Sequence, residues 1–163
     1  MKVIGLVLSI LASSVVAHAG APEPYLAVSS LKDLEISVFE LRSSDESLPP
    51  DESFNGRRIT CWKSLNQSER TDLLALLEMA EARETSERAE AAASGHVTGG
   101  VLACVTEEYG IRFSLPDGPE DSFITLECQR IYPVERTGRI LVPFNESETE
   151  QLRRFLRKVL RCP

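Results

Sequence analysis

Apolar and polar residues alternate over residues 33–41. Leu34, Ile36 and Val38 fall on one side, with Glu35 and Ser37 on the other, which predicts a half-buried strand. A second strand is expected over residues 56–62, GRRITCW. It closes on Cys61-Trp62, and a lone tryptophan that buries its ring area would anchor the core there. The intervening residues 43–55, SSDESLPPDESFN, read as a solvated loop. Residues 20–33 read as an extended lead-in, because Pro22 and Pro24 oppose helix.

The period then changes. Asn66 stands three positions before Glu69, the spacing of a reciprocal helix cap, and Leu73, Leu76, Leu77 and Ala80 follow as one apolar stripe. Residues 82–98 favour helix by composition but carry almost nothing large and apolar to bury. They read as a frayed helical extension or a mobile insertion.

Residues 101–144 read as four short strands, with turns at 106–110, 117–121 and 135–138. Ile111, Phe113 and Leu115 oppose Arg112 and Ser114. Ile124, Leu126 and Cys128 likewise oppose Thr125, Glu127 and Gln129, while Ile140, Val142 and Phe144 complete the apolar side. An antiparallel sheet with one solvated face gives this alternation. A second helix is predicted over residues 145–160, capped by Asn145 with Glu148 at the reciprocal position. Leu152, Phe155, Leu156, Val159 and Leu160 form its stripe. The expected fold is therefore α+β: an antiparallel sheet of about five or six strands with two helices on one face, forming a single domain over residues 34–162.

The first nineteen residues stand apart. Lys2, an apolar run from Val3 to Val16 and the small residues flanking His18 match a signal peptide cleaved before Gly20. The run is shorter than the roughly 20 residues of a membrane span, so no stable membrane insertion is expected after cleavage. The remaining 144 residues carry 17 basic and 25 acidic side chains, a net charge of −8 that opposes nucleic-acid binding. The expected address is periplasmic or secreted.

Export puts Cys61, Cys104, Cys128 and Cys162 in an oxidising compartment, where an even count points to disulfides. Three pairings are open, of which Cys104–Cys128 with Cys61–Cys162 is favoured. In a strict meander Cys104 and Cys128 lie two strands apart, roughly 9–10 Å, beyond disulfide reach unless the turn over residues 106–110 is broad.

The chemistry-bearing residues are sparse. His96, the one histidine after the leader, lies in the least patterned region, and no nucleophile elbow is present. Glu107, Glu108, Asp117 and Glu127 lie around the sheet, but an acidic chain always offers such carboxylates. Absence of C-x-x-C excludes a zinc ribbon, and the acidic loop over residues 43–55 lacks calcium-loop spacing. No cofactor and no metal are expected. The basic residues late in the second helix, Arg153 to Arg161, complement its dipole. Asn66-Gln67-Ser68 and Asn145-Glu146-Ser147 match the glycosylation sequon, on asparagines already assigned as caps.

Ala103-Cys104, Tyr109-Gly110-Ile111-Arg112 and the run from Glu127 to Tyr132 resemble a type of small exported bacterial α+β protein. The resemblance spans roughly residues 35–160 and implies fold and export, but no activity or site. The chain departs from that type where Glu107-Glu108-Tyr109 replaces Pro-Arg-His, and in adding Cys61 and Cys162. The function expected is a non-catalytic binding or inhibitor-type module acting on another envelope or secreted protein. Its partner surface is the polar sheet face of Arg112, Ser114, Thr125, Glu127 and Gln129. The alternatives are a hydrolytic enzyme using the sheet carboxylates and a structural envelope protein.

Overall fold

A computed structural model describes residues 26–43, 48–94, 108–134 and 140–161. Among them, seven strands form one antiparallel sheet and two α-helices pack on one of its faces, an α+β fold with slightly more strands than predicted. In chain order the elements are β1 (Ile36–Arg42), β2 (Ser53–Phe54), β3 (Arg57–Ser64), α1 (Gln67–Ser94), β4 (Tyr109–Leu115), β5 (Gly118–Thr125), β6 (Arg130–Pro133), β7 (Val142–Pro143) and α2 (Glu146–Val159). The spatial order is β2-β3-β1-β4-β5-β6-β7.

Ile36, Val38, Ile111, Phe113, Ile124 and Ile131 meet the apolar stripes of both helices in the main core. The alternation predicts this face for all of them except Ile131, whose parity the turn over residues 126–129 resets. Both helix starts also form as the spacing predicts. Asn66 accepts from the Glu69 N–H while Glu69 accepts from the Asn66 N–H, and Asn145 with Glu148 repeats the arrangement.

The differences arise where tertiary contacts outweigh local pattern. The lead-in contains a 3₁₀ turn, Val28–Leu31, whose Val28 and Leu31 are buried in the core. Residues 82–94 continue α1 instead of fraying, because two part-buried anchors at its middle hold that half. Glu81 accepts the Val28 N–H at 3.1 Å. Arg83 donates to both Glu148 oxygens and to the Pro143 carbonyl. Exposed i,i+4 pairs, Arg83–Glu87 and Arg88–Glu84, add support. Residues 95–98 of the expected insertion lie outside the described residues, as do the turn at residues 135–138 and residues 106–107 of that expected at 106–110.

Gly110, expected in a turn, is paired inside β4. Pro116 and Asp117 make the β4–β5 turn, and a turn over residues 126–129 splits the expected strand there into β5 and β6, with Gln129 at φ 54°. Within the expected loop over residues 43–55, β2 pairs with β3 through Asn55-Gly56. Both of these residues have positive φ (47° and 79°), the requirement of a tight type I′ hairpin.

Candidate functional site

The face of the sheet away from the helices is a second apolar surface. Phe39 and Leu41 share the parity of Ser37 in β1 and so project opposite to Ile36 and Val38. With Phe54 and Phe123 they form a separate buried cluster, extended by half-buried Ile59 and Tyr132. Gly110 makes the surface possible. It sits opposite Phe39 on one side and Phe123 on the other. The Phe54 ring lies on the space that its missing side chain leaves, with ring atoms 2.7–2.9 Å from where a Cβ would stand.

Phe54 belongs to β2, three positions from β4 in the sheet. A flat sheet would separate those strands by roughly 14 Å. Its ring is instead 4.9 Å from Phe39 and 5.7 Å from Phe123 between centroids. The β2–β3 hairpin therefore curls over the outer face. The bend follows a register shift between Glu40 and Leu41, where Cys61 pairs with Glu40 but Ile59 pairs with Leu41, and an inserted residue of this kind bends a strand.

A groove of about 290 Å³ lies in the crook of that curl. Phe39, Ile59 and Trp62 supply apolar lining; Pro50, Asp51 and Ser53 come from the curled segment, and Ser37 and Arg112 from the central strands. Trp62 is 61 % exposed, against the expectation that it anchors the core. Its side chain projects to the outer face opposite Phe39 and lies nearly parallel to that ring at 6.5 Å, so it packs on one side and faces solvent on the other.

Arg112 is fixed at the groove by three groups. Its Nε and Nη2 donate to the two oxygens of Asp121, directly across the β4–β5 ladder, at 2.7 and 2.8 Å. The guanidinium carbon sits 5.6 Å from the Phe39 centroid and 5.8 Å from that of Phe54, within cation–π range. The hydrogen bonds to Asp121 raise the Arg112 pKa further above its ordinary value, overcoming the opposing effect of burial. The side chain is therefore a permanent, oriented donor.

Of the five residues expected to form a partner surface, Arg112 alone lines the groove. Ser114 is exposed near the far, β4–β5 turn end of β4. Thr125 is on the outer-face parity but fully buried, its hydroxyl accepting the Cys128 N–H at 3.1 Å. Glu127 and Gln129 belong to the turn after β5, not to a strand face. The continuous polar face expected from alternation is thus broken by aromatic rings and a turn. The missed residues had a visible signal: Phe39, Leu41 and Phe123 are large and apolar at the parity opposite Ile36, Val38 and Ile124, which marks burial on both faces.

Among the carboxylates considered for hydrolysis, Glu108 and Asp117 flank opposite ends of β4, and Glu127 lies in the turn after β5. Glu107 and His96 lie outside the described residues. Cys61 and Cys128 each take part in a disulfide; Cys104 and Cys162 fall outside the described residues. A larger cavity, about 440 Å³, opens between the 3₁₀ turn and α1 beside Lys32, Arg70 and Glu78. There Lys32 pairs with Glu78 at 3.0 Å, and Arg70 donates to the Leu34 carbonyl at 2.8 Å. No helix among the described residues is long and apolar enough to cross a membrane. No protein-family model, curated protein or solved structure matches the chain.

Proposed function

We propose that this chain is an exported, non-catalytic binding or inhibitor-type module, and that it engages another envelope or secreted protein through the outer face of its sheet. The observation that carries this reading is the exposed Trp62 ring stacked on Phe39 beside an Arg112 whose orientation is already fixed. Tryptophan and arginine dominate the energetics of protein interfaces, because each combines large contact area with directional hydrogen bonding. Solvent exposure of Trp62 leaves apolar area that a partner would cover, and the pre-set Arg112 loses little freedom on binding. Removal of residues 1–19 and a periplasmic or secreted address belong to the same reading, as do the pairings Cys104–Cys128 and Cys61–Cys162.

Affinity capture from envelope extract tests the function. Wild-type protein retains a specific partner, and Trp62→Ala loses it while its circular dichroism stays that of the folded chain. A partner retained equally by Trp62→Ala but lost by Glu127→Arg would move the working surface to the turn after β5. Non-reducing peptide mapping tests the pairings; a Cys61–Cys104 linked peptide overturns them.

A further inference from the structure

The groove lies beside a strand edge that the described strands leave open. β2 covers only the first part of β3, opposite Arg57 and Arg58, and the Ile59 N–H still reaches the Glu52 carbonyl at 2.9 Å. Beyond that point the Pro49–Glu52 turn, closed by a 3.0 Å hydrogen bond, takes the chain away. No described strand pairs with the rest of that edge. The ladder shows which groups face outward. The Leu65 N–H donates to the Ile36 carbonyl at 2.8 Å, so Leu65, Lys63 and Cys61 turn their backbone groups toward β1. Trp62 and Ser64 turn theirs away. Both residues are exposed, and no described group pairs with their outward N–H and C=O.

The charges near this edge point to the sign of its complement. Lys63 is paired with Glu69, and Arg112 with Asp121. Asp51, exposed at the groove, has no described ion-pair partner, and the whole chain carries a formal charge of −7. An extended strand laid on the edge would place alternate side chains on the outer face beside Trp62.

We infer that the Trp62–Ser64 edge of β3 receives an extended segment of the partner protein by strand addition. The segment pairs its backbone with Trp62 and Ser64, sets an apolar side chain against the Trp62 ring and offers a lysine or arginine to Asp51. This deepens the function proposed above and rests on it, since the outer face supplies the groove.

Selection of short random peptides, displayed on phage, against the full chain provides the probe. Enriched peptides are synthesised and titrated through the fluorescence of Trp62, the chain's single tryptophan, with amide exchange of Trp62 and Ser64 followed by NMR. The expected peptides alternate apolar residues, carry lysine or arginine, and protect both amides. Ser64→Pro removes one outward donor and leaves the β1–β3 ladder intact, a tolerated edge position; it weakens binding by at least about tenfold. Trp62→Ala, followed by calorimetry, weakens it as well. Binding that survives Ser64→Pro but not Trp62→Ala overturns strand addition and leaves the outer-face reading standing. Peptides indifferent to both variants overturn both, and a selection without enrichment overturns the strand addition. Amide protection that rises with protein concentration without peptide assigns the edge to a second copy and overturns the inference. Should Ser64→Pro fail to fold, amide protection in the unaltered chain decides the same point.

Discussion

Gly110→Ala is the sharpest test of how the outer face is built. In an ordinary strand, replacing glycine with alanine stabilises by about 0.5–1 kcal/mol, because the unfolded chain loses freedom. Here the new methyl would stand 2.7, 2.8 and 2.9 Å from three carbons of the Phe54 ring. The ring has no easy retreat. Phe39 and Phe123 flank it at 4.9 and 5.7 Å, and its side chain is 1 % exposed. Overpacking of this kind costs about 1–3 kcal/mol, and expelling the ring outright forfeits about 2–3 kcal/mol of burial. The expected result is a net loss of about 2 kcal/mol, opposite in sign to the usual substitution. Urea unfolding followed by circular dichroism measures it. The double-mutant cycle with Phe54→Ala isolates the cause. Phe54→Ala alone costs about 3–5 kcal/mol, but in its background Gly110→Ala becomes neutral or slightly stabilising, a coupling of about 2–3 kcal/mol. Additive costs, or a stabilising Gly110→Ala in the wild type, would refute the placement of Phe54 over Gly110 and the curl that brings it there.

Three further outcomes follow from the same contacts. Trp62→Ala costs about 1 kcal/mol by denaturant titration, because the residue is 61 % exposed and loses chiefly its stack on Phe39. Arg112→Lys keeps the charge but loses the bidentate contact to Asp121 and the planar stack on Phe39 and Phe54. It costs about 1 kcal/mol in the same titration and weakens partner binding. Glu148→Gln weakens the anchor of α1 on α2 by about 2–3 kcal/mol and changes the acid response. Burial pushes the Glu148 carboxyl up, but the hydrogen bonds from Arg83 and the Asn145 N–H outweigh it, holding the group below its ordinary 4.5. Its stabilisation is complete above about pH 4.5 and is lost as pH falls through the depressed folded value. The wild type therefore loses stability on that acid arm, and Glu148→Gln flattens it; an identical acid arm in both would remove Glu148 from the account.

What the sequence displays is what short-range physics decides. The caps at Asn66 and Asn145 are legible because each closes within three residues. The inner sheet face is legible because Ile36, Val38, Ile111, Phe113 and Ile124 alternate with the pleat. The groove depends on distant partners. Trp62 is exposed because β2 begins only at Ser53, opposite Arg58, and does not run back along β3 to it, and Phe54 is buried because Gly110, 56 positions later, leaves room for its ring. Residues 82–94 lack an apolar stripe, and their helix rests on Arg83 meeting Glu148, 65 positions away. Neither pairing has a local signature. The polar surface predicted around Arg112 divided for a related reason: the turn after β5 breaks the alternation that linked Glu127 and Gln129 to it.

The outer sheet face, and not the helical side, is expected to meet the partner. A benzophenone-bearing phenylalanine, which keeps a large aromatic side chain, placed at Trp62 and, separately, at Met79 tests it, since these are the two exposed large apolar side chains among the described residues and lie on β3 and α1. Irradiation in envelope extract is expected to give a discrete adduct from position 62 and none from position 79. An adduct from position 79 alone would contradict the claim and transfer the working surface to α1.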